Sequence, residues 1–163
     1  MKTTWAKVLI FSIPLFIAGI GYALTQVSFN NASIIVNGQN IFITQPTFTT
    51  QTCPASGDAS YKNTGFNQLT WTLTQGGAAV QAFFCIDNQG TSSDNPTVTH
   101  STNGMTDGGC PSAANTLTWA PPMGVPATLA AHTATSAAVS IIVCAGSGVT
   151  ATTNGPSFTV TVT

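Results

Sequence analysis

At 163 residues the chain is close to one domain in size, yet it holds only 3 Lys+Arg, 4 Asp+Glu and 2 His, so that charged residues are 4% of it against about 25% in ordinary globular domains. It has no Arg and no Glu, and Thr, Ser, Asn and Gln stand in their place. Nucleic-acid binding, which draws its affinity from several Lys/Arg neutralising phosphates, is excluded, and the carboxylate pair of a glycosidase has only four scattered Asp to draw on.

The opening MKTTWAKVLIFSIPLFIAGIGYA places Lys2 and Lys7 before an apolar run from Val8 to about Ile20, followed by the small-residue stretch Gly21-Tyr22-Ala23. These are the three parts of a secretory signal, so residues 1–23 are expected to be removed. As a retained anchor the run falls short of the roughly 20 residues of a span and is broken by Pro14, Gly19 and Gly21. Cleavage leaves Lys62 as the one Lys and Asp58, Asp87, Asp94 and Asp107 as the anions. Acid denatures most proteins by protonating native carboxylates and building up positive charge. A chain with so little to titrate suits an acidic extracellular habitat.

Directly after the cleavage site, Leu24 to Asn30 alternates, with Val27 and Phe29 on one edge and Gln26, Ser28 and Asn30 on the other. The alternation stops at Asn31-Ala32-Ser33, the one N-x-[ST] sequon and hence a glycan acceptor at Asn31. Residues 24–31 therefore form either the first strand of their own domain or a tail of about 23 Å able to complete the sheet of another copy.

Residues 32–163 are expected to be the body. Asn37-Gly38 between Ile34-Ile35-Val36 and Ile41-Phe42-Ile43 signals a hairpin, as does Gly76-Gly77 between Leu69–Gln75 and Ala78–Asp87. Leu69, Trp71 and Leu73 alternate with Thr, as do Leu117 and Trp119, and Phe158, Val160 and Val162. Each such strand should carry one wet, Thr-lined face, because the branched Cβ of Thr suits the pleat and its hydroxyl is solvated without charge. Ala78–Asp87 and Ala137–Ala145 are apolar enough to be central strands. The pattern predicts an all-β fold, a two-sheet β-sandwich of jelly-roll or immunoglobulin-like kind with about seven to nine strands, and Trp71 and Trp119 in its core.

Four cysteines in a secreted domain imply two disulfides with three possible connectivities. The order Cys-Pro, Leu-Thr-Trp, apolar-Cys occurs twice, from Cys53 to Cys85 and from Cys110 to Cys144, which favours those two pairs. The echo stands either for two related hairpin units or for coincidence among similar strands. No C-x-x-C pair marks a zinc site, and the residues after Cys144 lack the His and Met of a copper centre. His100 with Asp94 or Asp107 and a serine has no nucleophile elbow to support it. Asp87, Asn88, Asp94, Asn95 and Asp107 fit ordinary turn chemistry as readily as a Ca²⁺ site. No catalytic residue, metal or cofactor is expected.

A signal peptide, a charge-poor Thr/Ser/Asn-rich all-β body, an alternating strand directly after the signal and the closing strand Ser157–Thr163 together resemble the surface thread and bundling-pilus subunits of thermoacidophilic and hyperthermophilic archaea. The resemblance rests on composition and layout and covers the whole mature chain. It implies a β-sandwich head joined head to tail by an amino-terminal donor strand, often glycosylated, in a homopolymer on the cell surface that serves adhesion or biofilm. Carried onto these residues, it makes Leu24, Val27 and Phe29 the donor and places Asn31 at the hinge. The rival expectation is a secreted carbohydrate- or surface-binding module or a virion decoration protein.

Overall fold

The computed structural model describes residues 26–30, 33–101, 104–149 and 159–163. The expected signal peptide, Leu24 and Asn31 lie outside them, and of Val27 and Phe29 only the backbone is described. The described chain is all-β. Its twelve strands are β1 Gln26–Asn30, β2 Ser33–Val36, β3 Ile41–Ile43, β4 Thr70–Thr74, β5 Val80–Phe84, β6 Ile86–Asn88, β7 Val98–His100, β8 Thr106–Asp107, β9 Leu117–Met123, β10 Thr133–Ala134, β11 Val139–Ala145 and β12 Thr159–Val162. They gather in four hydrogen-bonded groups, ordered β1-β4, β10-β6-β3, β5-β11-β9-β8 and β2-β12-β7, in a sandwich-like arrangement around one core.

The strands outnumber the seven to nine expected, because one apolar run divides and two-residue strands are added. The run Ala78–Asp87 breaks at Cys85 into β5 and β6, which belong to different groups. Its backbone there is taken over by Thr44: the Thr44 amide donates to the Cys85 carbonyl at 3.1 Å, and the Cys85 amide donates to the Thr44 hydroxyl at 2.9 Å. On the other side the Thr135 amide donates to the Ile86 carbonyl at 2.8 Å, and its hydroxyl accepts from the Ile86 amide at 3.1 Å. The polar backbone is thus satisfied through the change of sheet, as burial demands.

Both two-residue turn signals are corrected in the same sense. Asn37-Gly38 joins β2, paired with β12, to β3, paired with β6, and the Asn37 amide donates to Val162 instead of closing a hairpin. Gly76-Gly77 leads from β4, in one group, to β5, in another, while the Gly76 amide donates to Ala145. A glycine turn supplies the bend, but the partner of each strand is chosen by which apolar face it must bury.

β11, VSIIVCA, is buried along its whole length between β5 and β9, which is what a continuous apolar run requires of a strand covered on both faces. β4, TWTLT, instead alternates, with Trp71 and Leu73 fully buried and Thr70 and Thr72 exposed. Trp71, Leu73, Phe84, Ile86, Trp119, Val139, Ile141, Val143 and Val162 belong to one core cluster. The disulfides are Cys53–Cys85 and Cys110–Cys144, the pairing favoured by the repeated order.

Candidate functional site

β1 lies antiparallel on β4 in the register Gln26↔Thr74, Val27↔Leu73, Ser28↔Thr72, Phe29↔Trp71 and Asn30↔Thr70. The two form a sheet of their own, so β1 has β4 as its single ladder partner and its outer edge is paired with no described strand. On the solvent side Ser28 and Thr72 share a hydroxyl–hydroxyl hydrogen bond of 3.2 Å. Gln26, Ser28, Thr70 and Thr72 are exposed there, a strip of hydroxyls and amides with no charge. Beneath it Trp71 is met edge-on by Phe48, with ring centroids 5.1 Å apart at 86°. Phe48 is 41% exposed, an aromatic on the rim of the strand pair that the alternation of β4 does not reveal.

The pair is packed on the body through the buried Trp71 and Leu73 of β4 and hydrogen-bonded to it beyond Thr74. Gln75 bridges to Ala145 at the end of β11, the Gly76 amide donates to the same carbonyl at 2.9 Å, and the Gln75 amide side chain donates to the Val149 carbonyl. The strand that follows β1 in sequence, β2, belongs to a different group, beside β12. What this site can do is main-chain chemistry: offer or accept a strand through a ladder of neutral residues.

The titratable residues sit elsewhere. His100 on β7 is brought to Asp107 on β8, with Nε2 to Oδ1 at 2.6 Å, and not to Asp94, whose backbone bridges to Leu129. The other ring nitrogen, Nδ1, lies 2.7 Å from the Ser101 carbonyl. Both nitrogens are therefore engaged by oxygen acceptors, and neither is presented to a serine hydroxyl. The ring packs on Trp119, centroids 4.4 Å apart at 31°.

Asp87, at the centre of β6, is fully buried. One oxygen, Oδ2, accepts from the Gly57 amide and from Gln89 Nε2, each at 2.9 Å, while Oδ1 meets no donor. Nearby Tyr61 donates its hydroxyl to the Pro54 carbonyl at 3.0 Å. Burial first, and then the neighbouring carboxylates of Asp87 and Asp58, pushes that phenol up to about 12. The five oxygen-bearing residues of the 87–107 stretch do not converge: Asn88 donates to Ser92 and Leu129, Asn95 accepts from Thr128, and Asp107 faces His100. Among the described residues no three His, Cys, Asp or Glu side chains gather as metal ligands do.

A cleft of about 400 Å³ is lined by Thr44, Gln45, Thr47, Gln51, Ser60 and Lys62, among others. Its amides are already committed. Gln51 accepts from Thr44 and donates to the Gln45 and Phe83 carbonyls, and Gln45 bonds the backbone of Asn67 in both directions. These bonds hold the loop in place. No family model, curated protein or solved structure matches the chain.

Proposed function

We propose that this chain is a non-catalytic structural subunit, exported from the cell, that joins copies of itself by exchanging its first strand. The observation that carries this reading is the attachment of β1 by one ladder, at an edge, to β4. Withdrawing β1 leaves every other strand pairing of the fold in place. A neighbour's β1 entering the same register re-forms every bond that was lost, so the exchanged and closed states differ little in contact energy. In a lone chain the ladder closes on itself; in the assembly it closes between chains, with Leu24–Asn30 as donor and Thr70–Thr74 as acceptor. The contact is head to tail and extends into an open filament.

The chemistry of the surface supports the same reading. A body solvated by hydroxyls and amides, with few charges to repel, favours association over dispersal. Two disulfides suit an oxidising compartment. A cell-surface filament serving adhesion or biofilm, with glycan at Asn31, is the role that the archaeal thread subunits suggest.

The test uses the facing pair Ser28 and Thr72. A Ser28→Cys, Thr72→Cys double variant is assembled, oxidised and run on a non-reducing denaturing gel. Strand exchange gives a covalent ladder of multimers, and a chain lacking residues 24–30 forms no fibres by negative-stain microscopy. Cross-linked monomers alone, or fibres from the truncated chain, overturn the donor assignment. Monodisperse particles throughout would favour the binding-module reading.

A further inference from the structure

We propose that the segment exchanged between copies does not stop at β1: β1 and β2 leave together as one insert, residues 26–36, and the chain opens at Gly38-Gln39. This rests on the strand-exchange reading and fixes where the hinge between copies lies.

Topology makes the two strands separable as a unit. β1 is laddered to β4 alone, and β2 to β12 alone, at the edge of the group β2-β12-β7. β12 keeps its antiparallel ladder to β7 when β2 is withdrawn, so no pairing among the remaining strands is broken. Only Asn31-Ala32 separates β1 from β2, and the three Cα steps from Asn30 to Ser33 reach about 11 Å. If β2 stayed on its own body, a neighbour's Thr70, the ladder partner of Asn30, would have to come within about 16 Å of Ser33, one strand spacing included. The chain's own Thr70 already lies inside that radius, and every β4 is fixed to its own body by the fully buried Trp71 and Leu73. Two β4 ends would crowd one point. Opening the chain after β2 removes the crowding, because β1 and β2 then dock on one neighbour in the registers they hold in the lone chain. β2 also brings anchors, since Ile34 and Val36 pack against the core while Ile35 faces outward, 41% exposed.

Backbone bonds mark the hinge from both sides. The Asn37 amide donates to the Val162 carbonyl of β12 at 2.9 Å, so Asn37 belongs with β2. The Gln89 amide donates to the Asn40 carbonyl at 2.9 Å, so Asn40 stays with β3 and β6. Gly38 and Gln39 lie between them. The closed turn folds so tightly on Ile41 that a Cβ on Gly38 would stand 2.8 Å from Ile41 Cγ1 and 2.9 Å from its Cβ. Ile41 is fully buried and has no room to swing aside, whereas an extended hinge carries Gly38 away from it. Gly38 thus allows the lone chain to close, and a side chain there tips the balance towards exchange. Asn31 accordingly lies inside the insert and not at its hinge.

The test uses Ile35 and Thr161, which face each other in the parallel ladder, exposed and half-buried. The four native cysteines are all in disulfides, so a short bismaleimide reads introduced thiols alone. An assembled Ile35→Cys, Thr161→Cys variant is cross-linked and run on a denaturing gel beside the Ser28→Cys, Thr72→Cys variant. The expected result is a ladder of multimers from both pairs, each needing both of its cysteines. A ladder from the Ser28 and Thr72 pair with cross-linked monomers from the Ile35 and Thr161 pair overturns the two-strand insert and leaves exchange of β1 standing. Monomers from both pairs overturn exchange itself, and this inference with it. Gly38→Ala gives an independent readout: the ratio of multimer to monomer in light scattering at fixed concentration should rise at least about tenfold through overpacking of the closed turn. Gly109→Ala, with open space around it, should leave that ratio unchanged. An unchanged ratio in Gly38→Ala overturns the hinge.

Discussion

Tyr61 shows how one buried group ties stability to pH. Its ionisation is pushed up to about 12 by burial and then by the Asp87 and Asp58 carboxylates, so the folded state resists losing the phenolic proton. That contribution is whole below the free-tyrosine value of about 10 and is lost as pH rises through 10 towards 12. Alkaline unfolding followed by tyrosinate absorbance is expected to set in over that interval. Tyr61→Phe should remove the alkaline step while lowering neutral-pH stability by about 1 kcal/mol through loss of the bond to Pro54. Gly146 is a position limited by space instead of charge. Its amide donates to Thr116, and a methyl there would overlap the Ala113 carbonyl oxygen. Both neighbours are backbone, so Gly146→Ala should cost about 3 kcal/mol or more in denaturant unfolding, whereas Gly109→Ala, with open space around it, should cost little.

At the scale of the element, β4 and the β5–β6 junction behave differently under substitution. β4 holds two fully buried apolar side chains, Trp71 and Leu73, and Trp71→Ala is expected to cost about 3–5 kcal/mol. The exposed face tolerates change, so Thr72→Ser should be nearly neutral in equilibrium unfolding. The β5–β6 junction depends instead on single hydroxyls. Thr135→Val removes the acceptor of the buried Ile86 amide at nearly constant volume, and the orphaned donor should cost about 1–3 kcal/mol. The same junction is held by Cys53–Cys85, closing a separation of 32 residues, and β11 by Cys110–Cys144, closing 34. Loops of this length constrain the unfolded chain by about 4 kcal/mol each in the chain-entropy model. Reduction followed by calorimetry should therefore lower the midpoint far more than any single surface substitution.

The whole molecule is set apart by how little of it titrates. Only four side-chain carboxylates can take up protons in acid. Asp58 is one held below its ordinary value, by the Ser60 hydroxyl first and the Ser60 amide second, and its small exposed contribution disappears as pH falls below about 3.8. The melting temperature is expected to change by only a few degrees between pH 7 and about pH 3, followed by circular dichroism. Full unfolding near pH 3 at moderate temperature would contradict this.

What the linear chain determined by itself is the class of fold and the chemistry of its surface. Period-two alternation with Thr in Leu69–Thr74 dictates a strand with one buried and one hydroxylated face, and Trp71 and Leu73 are buried as it requires; the same pattern in Leu117–Trp119 also gives a strand, but there the wet Thr face expected is absent, because Thr118 is buried together with Leu117 and Trp119. The near absence of charge is likewise a property of composition. Tertiary structure alone decided partners. Asn37-Gly38 and Gly76-Gly77 carry the local signal of a hairpin, yet each leads the chain from one group of strands to another. No window of sequence chooses Asp107 over Asp94 as the partner of His100, or sets the Thr135 hydroxyl against the Ile86 amide. The reason is that alternation reports which side of a strand is apolar, a local quantity. The strand it pairs with is set by non-local burial, which is settled only when all the apolar faces compete for one core.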